Sequence, residues 1–252
     1  MSVIRGMIIA FSIYSKIPVP IFNWKDEDMK YHLIFFPWIG AVIGGLLCGW
    51  SFLSEYFSIG RIAYVLIGFA IPIIVTGGFH VDGYMDTCDA LKSYKPKEEK
   101  LKILSDPHIG AFAVISFATV SAIYIAAFSE IGKKGIPVFA FSFVISRCLS
   151  GLSVLTFRNA KDTGMLHTFS KTGEKAKKAV ITALIIQFFL CCIFMVKLDL
   201  ILGVALSVTS CLCLILYRQK MIRQLGGITG DTAGYFVVMT ETCMAVVAAI
   251  AS

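Results

Sequence analysis

The sequence predicts an all-α, polytopic integral membrane helical bundle of about seven transmembrane helices, preceded by an N-terminal interfacial or re-entrant helix. The chain of 252 residues is 57% hydrophobic and 15% charged, with a mean hydropathy of +0.80, which is far outside the usual range of soluble domains. Its apolar residues also form runs of about 20, the length that a helix needs to cross the hydrocarbon core. We therefore expect a single transmembrane domain over residues 1–252.

Seven apolar runs are long enough to span a bilayer, and polar segments connect them. They cover residues 31–53, 61–80, 109–131, 135–156, 179–197, 198–216 and 233–251. Only the segment 196–200 separates the fifth run from the sixth, which predicts a tight helical hairpin. Residues 1–20 are apolar but are interrupted by two basic residues and two prolines, so we expect them to lie at the interface or to re-enter the membrane.

The placement of lysine and arginine predicts the orientation of the bundle. The segment before the first span and the segments after the second, fourth and sixth spans hold 18 of the 23 basic residues. Because basic loops stay in the cytoplasm, we expect a multi-pass protein of the cell inner membrane with a cytoplasmic N-terminus, cytoplasmic motif-bearing loops and an outer C-terminus. The net charge of +7 would attract anionic lipid headgroups of the bilayer or guide a phosphorylated substrate. We expect no nucleic-acid partner.

The most informative pattern is TGGFHVDGYMDTCDA at residues 76–90, at the end of the second apolar run. Asp82, Asp86 and Asp89 stand at i, i+4 and i+7, so a helix would place three carboxylates on one face. Neighbouring carboxylates repel one another, and the arrangement is therefore costly without a cation. Mg²⁺ prefers oxygen ligands and commonly holds substrate phosphates. The cluster indicates metal-assisted phosphoryl chemistry on a membrane-bound substrate.

Two further motifs stand at the starts of apolar runs, where a helix N-terminus could contact a phosphate. The first is Asp106-Pro107-His108, before the third run; here Asp106 could instead serve only as a helix cap, with Pro107 in the first turn. The second, GGITGDTAG at 226–234, brings three glycines and Asp231 to the start of the last run. Its backbone amides could approach a ligand closely.

Charged side chains also occur within the apolar runs. Arg147 lies about ten residues from the cytoplasmic end of the fourth run, roughly 15 Å deep, and Glu241 lies within the last run. An intramembrane charge is costly and is usually paired or functional. Arg147 either pairs with Glu241, at a similar depth, or contacts a phosphate. A basic loop follows at 157–178, with Arg158 at the membrane boundary.

Intramembrane charges and glycine-interrupted helices are also typical of transporters. An ion-coupled membrane transporter that uses Arg147 and Glu241 is therefore the alternative function. Two observations weigh against it: the aspartates stand at a membrane boundary rather than at the midplane, and the sequence contains no apparent internal repeat. A third interpretation, an enzyme that moves phosphoryl groups between lipids, would share the metal site.

Together these motifs resemble those of the cobalamin synthase (adenosylcobinamide-GDP ribazoletransferase) family. The family signature Gly-Gly-x-His-x-Asp-Gly-x-x-Asp-x-x-Asp matches residues 77–89. Residues 11–20, 106–112 and 226–231, together with Glu241, resemble the other motifs of the family. The chain departs from the family pattern at Met85, Cys88 and Ser105. These changes bear on the shape of the pocket more than on its chemistry.

The resemblance implies the last assembly step of the cobalamin nucleotide loop, with Mg²⁺ as the cofactor. Adenosylcobinamide-GDP would lose GMP, and its remaining phosphate would join the ribose of α-ribazole or α-ribazole 5′-phosphate. Either Asp89 or His80 would take the proton from the ribose hydroxyl, and their spacing does not decide between them. The sequence is also compatible with a homo-oligomer. The implied metal ligands are Asp82, Asp86, Asp89 and Asp231. The implied substrate-binding residues are His108, Arg147, Arg158, Gly230, Asp231 and Glu241.

Overall fold

A computed structural model describes residues 2–20, 23–24, 28–161 and 174–251 and confirms the all-α fold. Within these ranges there is no β-strand, and one isolated parallel bridge joins Asn159 to Ile228. The elements are α1 (Ser2–Tyr14), a 3₁₀ helix (Asp28–Phe35), α2 (Phe36–Tyr56), α3 (Arg61–Thr76), α4 (Phe79–Lys92), α5 (Lys97–Ile103), α6 (Ala111–Glu130), α7 (Ile136–Ala140), α8 (Ser142–Thr156), α9 (Glu174–Leu198), α10 (Leu200–Leu225) and α11 (Gly230–Ala251).

Six segments of the described chain are long and apolar enough to cross a membrane, and the α3–α4 pair would make a seventh. The six are the 3₁₀ helix with α2, then α6, α7 with α8, α9, α10 and α11. The hairpin at 196–200 is confirmed: Asp199 alone separates α9 from α10, and its Oδ1 accepts a hydrogen bond from the backbone N–H of Leu202 at 2.9 Å. The run lengths in the sequence thus predicted the framework of the bundle.

The second predicted span, 61–80, is wrong at its end. Helix α3 stops at Thr76, and α4 leaves it at an angle of 94°. The two residues between them, Gly77 and Gly78, have φ values of 64° and 80°, in a region that residues with side chains rarely adopt. Two consecutive left-handed residues turn the chain sharply, so the aspartate motif lies on a new helix and not on an extension of the span.

Helix α4 lies across the ends of other helices. Its Gly83 packs on the backbone of Asp231, near the start of α11, and a Cβ on Gly83 would lie 2.7 Å from the Asp231 carbonyl oxygen. Its Tyr84 hydroxyl donates to the Ser116 carbonyl oxygen of α6 at 3.2 Å. Helix α4, which is not one of the six spanning segments, thus packs near the starts of α6 and α11. Together with residues 105–110, 157–161 and 226–231, it forms what we call the polar end of the bundle.

Helix α1 is too short to cross a membrane, since its 13 residues extend for about 20 Å. Its last residue, Tyr14, hydrogen-bonds through its hydroxyl with Nε2 of His32 in the 3₁₀ helix at 3.2 Å. The backbone N–H of Lys16 donates to the Val75 carbonyl oxygen at 2.8 Å. The segment after α1 is thus held at the end of α3, beside the polar end, as an interfacial or re-entrant helix requires.

Candidate active site

Four carboxylates meet where α4 crosses the start of α11. Asp82 is exposed and Asp86 and Asp89 are half-buried on α4, and the contact between Gly83 and the Asp231 backbone brings Asp231 to them. Burial and the neighbouring carboxylates of Asp82, Asp231 and Asp89 raise the pKa of Asp86 to about 6. The negative charges therefore interact at short range, which favours occupancy of the cluster by a cation or a proton.

The donor set fits Mg²⁺ that a substrate helps to hold. Carboxylate oxygens are the ligands that this ion prefers. Among the described residues, however, no group of three His, Cys, Asp or Glu side chains converges closely enough to form a metal site by itself. Because Mg²⁺ is usually bound through one or two carboxylates plus water and substrate phosphates, the cluster suits an ion whose coordination a phosphorylated ligand completes.

The loop before α6 adjoins Asp89. A Cβ on Gly110 would overlap the Asp89 carboxylate, so only glycine allows this approach. The interpretation of Asp106 as the cap of this helix is wrong, because α6 begins at Ala111 and its N-cap, Gly110, makes no side-chain bond. Instead Asp106 Oδ1 accepts hydrogen bonds from the backbone N–H of His108 at 3.0 Å and from its ring Nδ1 at 2.7 Å. These bonds lower the pKa of Asp106 and hold the exposed His108 in the same loop.

The segments 157–161 and 226–231 pair with each other at the polar end. The backbone N–H of Ile228 donates to the Arg158 carbonyl oxygen at 2.9 Å, and the N–H of Ala160 donates to the Ile228 carbonyl oxygen at 2.8 Å. The Arg158 side chain is exposed. This pairing fixes the loop that leads to Gly230 and Asp231. The rest of the predicted basic loop, residues 162–173, lies outside the described residues.

Two lysines that the sequence analysis did not select lie at this end. Lys161 donates to Ser105 Oγ at 2.6 Å, and its charge acts on the Asp231 carboxylate. Lys16 lies with its aliphatic stem over Gly77 and lines the same open cavity as Asp82. The available sequence signal for Lys16 was its place within residues 11–20. No local sequence pattern distinguishes Lys161, because its contact is with Ser105, in a loop remote in sequence.

The predicted pairing of Arg147 with Glu241 is confirmed. Arg147 Nη1 donates to Glu241 Oε1 at 2.6 Å and to the Phe143 carbonyl oxygen at 2.8 Å. Ser146 Oγ donates to the same Glu241 oxygen at 2.8 Å. The Arg147 side chain is 1% exposed, within the spanning part of the bundle. Among the described residues, Arg147 hydrogen-bonds to groups of α8 and α11. A contact of Arg147 with substrate phosphate, and a substrate contact of Glu241, remain predictions.

His80 is separated from the carboxylates. It precedes Asp82 by two residues, which on a helix directs the two side chains to nearly opposite faces. The residue is 5% exposed, and neither ring nitrogen has a hydrogen-bond partner among the described residues. Its ring lies 5.5 Å, between centroids, from those of Phe36 and Phe79. Asp89, in contrast, is half-exposed on the carboxylate face.

Comparison with known proteins identifies relatives over nearly the whole chain. A family model described as cobalamin-5-phosphate synthase matches residues 6–249. A protein of Lachnoclostridium phytofermentans named adenosylcobinamide-GDP ribazoletransferase is 40% identical over 238 residues, which are 94% of this chain and 90% of that protein. Proteins with the same name from Clostridium botulinum (strain Alaska E43) and Geobacillus kaustophilus are 32% and 28% identical, over 94% and 95% of this chain and 94% and 93% of theirs. No solved structure matches.

Proposed function

The chain belongs to the cobalamin-5-phosphate synthase family of enzymes, and we propose that it joins adenosylcobinamide-GDP to α-ribazole or α-ribazole 5′-phosphate with release of GMP. The observation that carries this proposal is the meeting of Asp231 with the three aspartates of α4, from sequence positions about 150 residues apart. Such a cluster suits a reaction at a diphosphate, where charge neutralisation and positioning matter more than covalent protein chemistry. The names of the relatives, adenosylcobinamide-GDP ribazoletransferase, support the choice of substrates.

We propose Asp82, Asp86 and Asp231 as the carboxylates that hold Mg²⁺, with Asp89 at the edge of the same site. When bound, the ion neutralises the oxygens of the diphosphate and orients it for in-line displacement. These carboxylates would hold the ion at the junction of α4 and α11, and the diphosphate would bind there.

The proton of the attacking ribose hydroxyl goes to Asp89 in this mechanism. Asp89 shares the carboxylate face, is accessible, and lies against Gly110, whereas His80 is buried on the other side of α4. As the hydroxyl oxygen bonds to the phosphorus that stays with the cobinamide, the bond from that phosphorus to the GMP oxygen breaks. A general base must lie within hydrogen-bond reach of the proton that it accepts, and position therefore favours Asp89 over His80.

The basic residues of the polar end would bind the phosphate oxygens. Arg158 and His108 are exposed at the polar end. Lys161 acts on Asp231, and Lys16 lines a cavity with Asp82. Their charges would stabilise the leaving GMP as negative charge develops on it. We place this end of the bundle in the cytoplasm, because the segments before the first predicted span and after the second, fourth and sixth predicted spans hold 18 of the 23 basic residues, and basic segments stay on that side.

Turnover by the purified protein in liposomes tests the proposal. Adenosylcobinamide-GDP, α-ribazole and Mg²⁺ should yield GMP and the joined product in equal amounts, and chelation of the metal should stop the reaction. Absence of both products with either form of the ribazole would overturn it. Family membership sets aside the ion-coupled carrier, which would yield no chemical product.

A further inference from the structure

Four aromatic rings that pack against one another line part of a cavity next to the carboxylates. Each of these rings contacts two of the others. The centroid of the Tyr14 ring lies 4.5 Å from that of Phe36 and 5.8 Å from that of Phe79. The centroid of the His80 ring lies 5.5 Å from those of Phe36 and Phe79. The rings come from α1, α2 and α4. The cavity opens to solvent at its mouth. We call it the aromatic pocket.

The remaining walls of the aromatic pocket are small or aliphatic. No lysine, arginine or carboxylate is among the described residues that line it. The other lining residues are Leu33, Ser150, Gly151, Val154, Gly230, Ala233 and Gly234. Mostly apolar pockets with a few polar groups are typical of small-molecule binding sites. The aromatic pocket therefore differs in chemistry from the charged site beside it.

The polar groups of the aromatic pocket are few, and one of them lacks a partner. His80 is 5% exposed, and neither ring nitrogen hydrogen-bonds to any residue that the structure describes; burial of such a group without a partner is unfavourable. Tyr14 already uses its hydroxyl on His32 and so offers mainly its ring. Ser150 Oγ has only a long contact of 3.4 Å, to the Ala233 carbonyl oxygen. A ligand that pairs with His80 would relieve its unmet hydrogen-bonding capacity.

The mouth of the pocket connects it to the proposed reaction centre. Gly230 is exposed at the rim and directly precedes Asp231. Phe79 stands three residues before Asp82 and so lies on the same face of α4; it also lines the cavity that contains Asp82 and Lys16. A ring held in the aromatic pocket would therefore have its attached sugar directed towards the carboxylates.

We propose that the aromatic pocket binds the benzimidazole base of the ribazole acceptor, with His80 donating a hydrogen bond to the unsubstituted ring nitrogen. This inference rests on the proposed function. A benzimidazole is a flat, largely apolar bicycle with one free acceptor nitrogen, and it suits edge and face contacts with aromatic rings. Guanine, on the donor, presents several donors and acceptors along its edges, and His80 and Ser150 could satisfy few of them. His80 is then a substrate-binding residue.

Filling the pocket tests the inference. Val154→Phe would place a ring in the aromatic pocket. His80 also borders a second cavity, on the side of Arg147, and Val238→Phe makes the same change there as the matched control. We expect Val154→Phe to raise the KM for α-ribazole at least tenfold, with the KM for adenosylcobinamide-GDP unchanged. Val238→Phe should alter neither. A rise in the KM for adenosylcobinamide-GDP alone would assign the pocket to guanine and overturn the inference.

A binding measurement separates this inference from the proposed reaction. Free benzimidazole and α-ribazole should each raise the melting temperature of the wild type and of Val238→Phe, and raise that of Val154→Phe much less. Equal shifts in the two variants would place the base elsewhere and overturn the inference. A wild type that binds α-ribazole through this pocket but forms no product would contradict the proposed reaction and leave the pocket assignment supported.

Discussion

Arg147 on α8 and Glu241 on α11 form a buried ion pair, with 2.6 Å between Nη1 and Oε1. The Arg147 guanidinium also binds the Phe143 carbonyl oxygen, and Ser146 binds the Glu241 carboxylate. The pair thus joins two spanning helices within the bundle. Removal of one partner leaves a buried charge without compensation, whereas removal of both does not.

A double-mutant cycle tests this dependence. We expect Arg147→Met or Glu241→Gln alone to cost about 3–5 kcal/mol of stability, and the double variant to cost less than the sum. Folded yield and unfolding in detergent measure the stability, and turnover is measured separately. Additive losses would contradict the coupling. Recovered yield with persistently low turnover would support the predicted substrate contact of Arg147 or Glu241.

The second prediction concerns the metal ligands. Asp82→Asn and Asp86→Asn preserve the side-chain shape but each removes an anionic oxygen, so each should lower kcat/KM by roughly 100-fold or more and raise the Mg²⁺ concentration needed for half-maximal rate. Asp199→Asn, at the start of α10 and far along the chain from the motif, is the matched control and should retain activity, since asparagine also caps helices. Near-normal turnover of both variants at low Mg²⁺ would exclude these two residues as ligands.

The third prediction follows from the raised pKa of Asp86, about 6 against the usual 3.8. Between these values the folded protein binds more protons than the unfolded chain, so Asp86 makes the free energy of unfolding fall as the pH rises from about 4 to 6. Mg²⁺ competes with that proton, and its affinity should therefore rise over pH 5–7 and then level off. Metal-induced stabilisation measured against pH checks this. Asp86→Asn should flatten the profile, and an unchanged profile would contradict the assignment.

The fourth prediction concerns the turn between α3 and α4. Alanine at Gly78, where φ is 80°, should cost about 1–2 kcal/mol of stability and misplace the α4 carboxylates. Gly45→Ala is the control, because a Cβ there also meets no neighbour but lies within a regular helix, where alanine is favourable. Melting temperature and turnover are the measurements. Equal effects of the two substitutions would mean that the left-handed turn is not required.

The fifth prediction is topological. In an otherwise cysteine-free chain, cysteine at residue 95, after α4, should resist impermeant thiol reagents added outside intact cells. Cysteine at residue 133, between α6 and α7, should react with them. Labelling at residue 95 from outside would overturn both the orientation and the placement of the reaction in the cytoplasm.

Much of the framework could be predicted from the sequence, because membrane crossing depends on local properties. The length of each apolar run determines a span, and the break at Asp199 determines a hairpin. The carboxylates of Asp82, Asp86 and Asp89 share a face because helical periodicity alone relates them. The pairing of Arg147 with Glu241 was also accessible, since two costly charges at similar depth favour each other.

The tertiary structure decided which distant groups meet. Nothing local to Asp231 or Lys161 indicates a contact with α4 or Ser105, because these contacts depend on the packing of helices remote in sequence. The sharp turn at Gly77–Gly78 was hidden in an apolar run that continued to residue 80. His80 stands within the same motif as the aspartates, yet the turn of α4 buries it beside the rings of Phe36, from α2, and Phe79, from α4 itself. The sequence by itself thus determined the spans and the acidic face, whereas helix packing decided what that face and its histidine contact.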